Sequence, residues 1–115
     1  MKNKEIKKAQ VHSVDKIIEY IPNSVVIKSI INKPTGNVSV LAIDAGEVFA
    51  GRISPFDNFI QVIDGHAEII IDDNSNLLET GESIIIPAHS SNATKANVRF
   101  KMLSTVIKSG YEEVN

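Results

Sequence analysis

The first regular pattern of apolar residues along the chain has the period of a helix. Four residues share the spacing i, i+3, i+4 and i+7, which puts them on one side of a helix: Val14, Ile17, Ile18 and Ile21. Ser13 is a suitable N-cap residue, and Pro22 cannot continue a helix. The sequence therefore predicts a short N-terminal helix between these two residues.

From Val25 onward the apolar residues recur with a period of two, which is typical of β-strands. Runs rich in Ile and Val, separated by turn residues at intervals of about 8–12 residues, favour an all-β sandwich or barrel. Pro34 and Gly36 suit a type I turn followed by a left-handed residue, and the polar stretch DDNSN at 72–76 predicts a loop. The predicted strands are Val25–Ile31, Val38–Ile43, Val48–Ser54, Asn58–Ile63, His66–Ile71, Leu77–Glu79, Ser83–Ile86, Ser91–Ala96 and Arg99–Lys108.

Asp64 and Gly65 predict a two-residue β-hairpin. In that hairpin Val62 would lie opposite Ala67, and opposed residues share a face of the sheet. The more apolar face, expected to point inward, carries Asn58, Ile60, Val62, Ala67, Ile69 and Ile71. The other face is still half apolar and carries Phe59, Gln61, Ile63, His66, Glu68 and Ile70. This second face needs a cover, which could be the N-terminal helix, a second sheet or another subunit, and we expect a homodimer.

The composition fits one globular domain. The chain has 115 residues, of which 43% are hydrophobic and 23% are charged, and no linker-like segment divides it. We expect a flexible basic N-terminus at residues 1–10, a single domain at 11–110 and a C-terminal tail at 111–115.

Charge and composition also argue against several classes of function. The formal net charge of −2 comes from scattered charges of both signs and gives no strong attraction to nucleic acid or to an anionic membrane. The chain contains no apolar segment of the roughly 18 residues that a membrane span needs. Because there are no cysteines, disulfides and thiolate metal sites are excluded. A cytoplasmic location is expected.

Two patterns that each begin with a glycine follow one another along the strands. The first has five, one, three and six residues between its members, which are Gly46, Arg52, Ser54, Asn58 and Gly65. The second has five, one, two and three residues between its members, which are Gly81, Pro87, His89, Asn92 and Ala96. These spacings resemble the two motifs of the cupin superfamily, G-x5-H-x-H-x3-E-x6-G and G-x5-P-x-G-x2-H-x3-N. The resemblance runs from about Val38 to Ile107 and implies a double-stranded β-helix, the jelly-roll or RmlC-like barrel.

The resemblance fails at the positions that hold a metal ion in metal-binding cupins. Those proteins use His, His and Glu from the first motif and His from the second, where this chain has Arg52, Ser54, Asn58 and Asn92. An arginine is permanently cationic and would repel an ion. Serine and asparagine are weak neutral donors, whereas transition metals favour imidazole and carboxylate. The sequence has three histidines, none at these positions: His12, His66 and His89. We therefore predict a degenerate metal site, with no metal, no other cofactor and no catalytic residue.

The side chains at these positions allow two interpretations. The candidate ligand-binding residues are Arg52, Ser54, Asn58, Asn92 and Thr94 inside the barrel, with His89 near its mouth. In one interpretation they form a hydrogen-bonded polar plug, in which the guanidinium pairs with carbonyls or with an acid such as Asp57. In the other they line a pocket for a small carboxylate, phosphate or other polar metabolite. A buried guanidinium needs one partner or the other, because an unpaired buried charge is costly.

Three functions remain open on the sequence alone. The preferred hypothesis is a metal-free cupin-type binding or sensing protein for a small polar or anionic ligand. The alternatives are a cupin-type enzyme of the dioxygenase or isomerase class and a purely structural dimerisation module. The inward strand positions supply no group that titrates near neutral pH, which disfavours proton-transfer catalysis.

Overall fold

The computed structural model describes residues 5–51 and 53–111. Within these ranges the secondary structure is almost entirely β, and the predicted all-β class is confirmed. The elements are one 3-10 helix (Val14–Lys16) and strands β1 (Val25–Lys33), β2 (Gly36–Ile43), β3 (Val48–Gly51), β4 (Asn58–Asp64), β5 (Ala67–Ile71), β6 (Asn74–Leu78), β7 (Ser83–Ile86), β8 (Asn92–Lys95) and β9 (Phe100–Ile107).

The strands form two antiparallel sheets that face each other. The five-stranded sheet has the order β1-β2-β9-β4-β7, and the four-stranded sheet has the order β3-β8-β5-β6. Among these strands, only the β1–β2 and β5–β6 connections stay within one sheet, and every other connection crosses to the opposite sheet. Repeated crossing of this kind is the winding of a jelly roll, which is how such a fold protects its sheet edges.

The core lies between the two sheets, where the inward residues of alternating positions meet. The largest fully buried side chains of this core are Phe100, Ile43, Ile60, Ile69 and Val62. The predicted inward face is confirmed, because Ile60, Val62, Ala67 and Ile69 are buried and Asn58 and Ile71 are half-buried. Apolar burial of this kind contributes roughly 25 cal/mol per Å² and is the main force that holds the sheets together.

The prediction that β4 and β5 pair as a hairpin is wrong, but the prediction of which of their residues face the core is right. β4 pairs with β7 and β9, whereas β5 pairs with β6 and β8 in the other sheet. The chain changes sheet at Gly65, whose φ is +76° and where a Cβ atom would lie 2.5 Å from the Arg99 carbonyl oxygen. Because alternate residues of both strands point into the space between the sheets, the face assignment holds without the pairing.

Two predicted loops also differ from the structure. Gly36 is not a left-handed residue. It pairs with Lys33 and Ile107, and an added Cβ atom would lie 2.6 Å from the Val106 carbonyl oxygen. In the polar stretch at 72–76, only the two aspartates form the turn, with φ angles of 47° and 69°, and β6 begins at Asn74. Two consecutive positive φ angles are typical of a type I′ hairpin turn, and the pairing with β5 overrides the polar composition.

The predicted N-terminal helix is present only as the 3-10 helix Val14–Lys16, and the Ser13 side chain makes no capping hydrogen bond. Ile18 is buried against Val40 and Ala42 on the outer face of the five-stranded sheet, and Ile63 packs on this cluster. The N-terminal segment thus covers part of the half-apolar face. Short 3-10 helices depend on packing of this kind, because they form few internal hydrogen bonds.

Both ends of the described chain contact the barrel. Glu5 Oε2 accepts a hydrogen bond from the Asn32 backbone N–H at 2.6 Å and forms an ion pair with Lys33 Nζ at 3.4 Å. Tyr111 packs its ring on Phe56 with a centroid distance of 5.6 Å. The domain boundaries at residues 10 and 110 stay predictions. None of the described helical residues forms a helix long and apolar enough to cross a membrane.

Candidate functional site

A cavity of about 250 Å³ lies between the two sheets. Its wall combines strand residues from both sheets with the loops that follow β3 and β7. The apolar lining residues are Ile27, Leu41, Phe49, Phe56, Ile60, Ile86, Pro87, Met102 and Val106. The other lining residues are Gly51 and the polar Ser39, Ser54, Asn58, Ser90, Asn92, Thr94 and Ser104.

Four of the six candidate ligand-binding residues line this cavity: Ser54, Asn58, Asn92 and Thr94. Strand register explains the last three. Asn58 is in phase with the buried Ile60 on β4, while Asn92 and Thr94 alternate on β8 opposite Ile71 and Ile69. Thr94 is only 3% exposed. Residues far apart in sequence therefore face one cavity, Asn58 from the five-stranded sheet and Asn92 and Thr94 from the four-stranded sheet.

The other two candidate residues differ from these four. His89 is exposed, does not line the cavity and has a φ of +68°. This left-handed conformation occurs where the cupin motif has glycine, which tolerates it best. Arg52 lies outside the described residues, and both interpretations of its role stay predictions.

Hydrogen bonds fix part of the polar wall. Ser104 Oγ donates to Asn58 Oδ1 at 2.8 Å, and Ser54 Oγ accepts from the Phe56 backbone N–H at 3.1 Å. Ser90 Oγ donates to the Pro87 carbonyl at 2.6 Å. Ser104, Ser39 and Ser90 are missing from the sequence prediction. Strand alternation could have found Ser104, because it is in phase with the buried Phe100 and Met102 on β9.

The loops at the cavity mouth are fastened to each other. The His89 backbone N–H donates to the Ser54 carbonyl at 2.6 Å, and the Ala88 N–H donates to Asp57 Oδ1 at 2.8 Å. The Asp57 N–H in turn donates to the Tyr111 hydroxyl at 3.0 Å. Asp57 thus uses one carboxylate oxygen to hold a backbone group of the neighbouring loop, and the loops hold the polar side chains at the mouth in place.

Gly51 makes room for one of these side chains. It pairs with Asn92 across β3 and β8, and a Cβ atom added at Gly51 would overlap the Asn92 amide group. The φ of Gly51 is not in the left-handed region, so the small side chain is needed here for space rather than for conformation. This glycine lets the amide lie flat against the β3 backbone.

The donor set does not fit a transition-metal ion. Ser54, Asn58 and Asn92 offer only neutral groups, and Asn58 Oδ1 already accepts from Ser104. Over residues 5–51 and 53–111, no three His, Cys, Asp or Glu side chains are grouped so that they could hold a metal ion. No metal-dependent step follows from these side chains, and the absence of a metal stays a prediction.

The perturbed titratable groups lie outside the cavity. Burial, together with the hydrogen bond that Tyr20 donates to Asp64 Oδ2 at 2.7 Å, raises the pKa of the Tyr20 hydroxyl. Hydrogen bonds from Ser75 and Asn97 lower the pKa of the exposed Glu68 carboxyl. Perturbed pKa values often mark functional sites, but here the causes are structural contacts on the outer faces.

The fold matches solved structures over nearly its whole length. A conserved protein of unknown function from Streptococcus pyogenes superposes with a TM-score of 0.86 at 24% identity, over 93% of this chain and 94% of that chain. A cupin superfamily protein from Desulfitobacterium hafniense has a TM-score of 0.85 at 22% identity, over 95% and 100%. A cupin 2 conserved barrel domain protein from Leptotrichia buccalis has a TM-score of 0.78 at 26% identity, over 82% of this chain and 46% of that chain.

Enzymes occur among the more distant structural matches. A variant of salicylate 1,2-dioxygenase from Pseudoaminobacter salicylatoxidans has a TM-score of 0.68 at 18% identity, over 76% of this chain and 27% of that chain. No protein-family model matches the chain, and no curated protein matches it. The two spaced motifs, the jelly-roll winding and the structural neighbours agree with one another, and the chain has the fold of cupin proteins.

Proposed function

We propose that the protein is a metal-independent binding or sensing module whose small ligand occupies the cavity between the sheets. One observation supports this most directly: Asn58 from one sheet and Asn92 and Thr94 from the facing sheet line the same, otherwise largely apolar cavity. A concave apolar site with a few convergent polar groups is the usual form of a small-molecule site. The polar groups would orient the ligand, and the apolar wall would supply contact area.

The size of the cavity limits the ligand. Its volume of about 250 Å³ is below the range of roughly 300–1,000 Å³ that is typical of small-molecule pockets. The ligand is therefore smaller than a nucleotide or a drug-sized compound. Its polar or anionic part would face the serine, threonine and asparagine side chains.

An enzyme of the dioxygenase class is the second candidate, and the salicylate 1,2-dioxygenase neighbour favours it. Two features of this chain speak against it. The neutral donors at the metal positions do not suit iron, and the described lining residues include no histidine or carboxylate that could transfer a proton. His89, at the mouth, is exposed. A binding role needs neither a metal ion nor a group that transfers a proton.

Dimerisation is a further part of the proposal. Phe59, Ile85 and Ile107 are 39%, 57% and 59% exposed on the outer face of the five-stranded sheet, and Phe59 pairs with Ile85. Exposed apolar patches often mark interfaces. Light scattering should show a homodimer for the native chain and a monomer for Phe59→Lys/Ile85→Lys. A monomeric native chain would contradict the homodimer and the structural-module alternative alike.

A cytoplasmic location is also proposed. The complete lack of cysteine supports it, because small proteins of oxidising compartments commonly rely on disulfides. Cell fractionation should recover the protein with cytosolic markers, and recovery in an exported fraction would contradict this part of the proposal.

The contents of the purified protein test the main proposal. Native mass spectrometry should show an organic ligand that is released on denaturation, and elemental analysis should show no stoichiometric iron, manganese, nickel or zinc. Asn92→Leu, which fills the cavity with apolar atoms, should lose the ligand, whereas the exposed control Ser83→Leu should keep it. A stoichiometric transition metal, or ligand retained equally by both variants, would contradict the proposal.

A further inference from the structure

We infer that the cavity selects ligands that present a hydrogen-bond acceptor, such as a carboxylate or carbonyl oxygen, on a small apolar body; this inference rests on the proposed function. The selecting element is the pair formed by Asn58 and Ser104. Both residues line the cavity, and they come from neighbouring strands of the five-stranded sheet.

The Asn58–Ser104 hydrogen bond determines which end of the amide remains available. Ser104 Oγ donates to Asn58 Oδ1 at 2.8 Å, so the amide oxygen is already occupied. The amide nitrogen has two N–H groups and no acceptor capacity. Among the described residues it has no hydrogen-bond partner, and it is the group that Asn58 can offer to a ligand.

Ser54, in the loop after β3, and Thr94, on the facing sheet, add hydroxyl groups to the same cavity. Ser54 Oγ accepts from the Phe56 backbone N–H, which leaves its hydroxyl hydrogen free to donate. Thr94 is 3% exposed and lines the cavity, and its hydroxyl can both donate and accept hydrogen bonds. A hydroxyl group that water reaches poorly contributes most to ligand affinity when the ligand forms a hydrogen bond with it.

The rest of the wall determines the body of the ligand. Leu41, Phe49, Ile60 and Met102 are apolar, and the cavity volume of about 250 Å³ allows one small ring or branched chain. The described lining contains no carboxylate that would attract an amine. A ligand with an acceptor at one end and a compact apolar body therefore matches both parts of the cavity.

Four neutral or anionic aromatic compounds test this inference: acetophenone, benzoate, indole and toluene. Acetophenone and benzoate present acceptors, indole is of similar size and presents only a donor, and toluene presents neither. Amide NMR titrations would report their dissociation constants directly, because the side-chain NH2 signals of Asn58 and Asn92 lie in the cavity. Both acceptor compounds should bind at least about tenfold more tightly than indole and toluene, as expected for one well-formed hydrogen bond.

Two small substitutions change which hydrogen-bonding group the Asn58–Ser104 pair offers to a ligand. Asn58→Asp replaces the donor end by a carboxylate oxygen and should abolish the preference for acetophenone and benzoate. Ser104→Ala frees the amide oxygen of Asn58, so the amide can present either end, and indole should gain affinity relative to acetophenone. The exposed Asn32→Asp on β1, outside the cavity lining, is the control and should change nothing.

The outcomes separate this inference from the proposed function. If no compound shifts the cavity signals, the proposed function fails and the inference fails with it. If all four compounds shift these signals with similar affinities, the cavity binds ligands but the acceptor preference is wrong. Ser104→Ala tests the pair even if Asn58→Asp does not fold, because unchanged selectivity in Ser104→Ala would refute the role of the pair.

Discussion

His89 and Ser54 join the two loops at the cavity mouth, through a 2.6 Å hydrogen bond from the His89 backbone N–H to the Ser54 carbonyl. His89 reaches this position with a φ of +68°, in the left-handed region that favours glycine. One loop contributes Ser54 to the cavity, and the other contains Pro87 and Ser90, so this hydrogen bond links two parts of the same wall.

The left-handed conformation predicts a specific response to substitution at position 89. His89→Val should lower the free energy of unfolding by about 1 kcal/mol, because β-branched residues are strained at positive φ. His89→Gly should be tolerated or mildly stabilising. Urea denaturation measures both. The exposed His66→Val is the matched control and should stay within about 0.5 kcal/mol of the native chain. Equal losses at both positions would contradict the strain at His89.

The contact of Gly51 with Asn92 predicts a coupled pair of substitutions. Gly51→Ala should destabilise the fold by about 1 kcal/mol, because the new methyl group overlaps the Asn92 amide and forces this side chain to move. Asn92→Ala removes that amide, so the double substitution should recover most of the loss. A double-mutant cycle from denaturation data gives the coupling energy. Strict additivity of the two substitutions would show that the overlap is relieved in another way.

Strand alternation explains why most of the fold could be predicted from the sequence. Ile60 and Val62 on β4 and Ala67 and Ile69 on β5 are buried, whereas the residues between them are only partly buried, because only one face of each strand can enter the core. The same alternation placed Asn58 in phase with Ile60. What could not be predicted was the partner of each strand, because alternation is the same whether β4 and β5 pair or cross between sheets.

The hydrogen bonds of the candidate site could not be predicted from the sequence either, because they also depend on which strands are neighbours. Ser104 and Asn58 are 46 positions apart, and the register that brings β9 beside β4 sets their contact. His89 has a left-handed backbone conformation in a loop, which spacing does not encode. The spacing of the motifs predicted which residues share the cavity, but not which of their polar atoms are free.

The shared cavity predicts that a metal site can be rebuilt. Ser54→His, Asn58→Glu and Asn92→His together would present two imidazoles and a carboxylate to one small space. Zinc or manganese at a hundredfold excess over its dissociation constant should then stabilise the fold by about 2.7 kcal/mol, visible as a higher melting temperature. The native chain under the same conditions should show no shift. If the triple variant folds but does not bind the metal, the three side chains do not lie close enough together to form a site.

The raised pKa of Tyr20, which lies outside the cavity, predicts that the stability of the fold depends on pH. Burial and the hydrogen bond to Asp64 raise the pKa of its hydroxyl above the ordinary value of 10.0, so the folded chain keeps the proton when the unfolded chain has lost it. The stabilisation is complete below about pH 10 and is lost as the pH rises above that value. Tyr20→Phe should therefore weaken the alkaline loss of stability in urea denaturation between pH 8 and pH 11.

The lysines also titrate in this range, so the informative quantity is the difference between the native chain and Tyr20→Phe at each pH. Lys101 Nζ and the Arg99 guanidinium lie 5.0 and 4.7 Å from the centre of the Tyr20 ring, and Phe keeps the ring beneath both cations. The substitution therefore removes the hydroxyl and leaves the cation–ring contacts in place. If this difference does not change with pH, the Tyr20–Asp64 hydrogen bond does not link stability to the tyrosine proton.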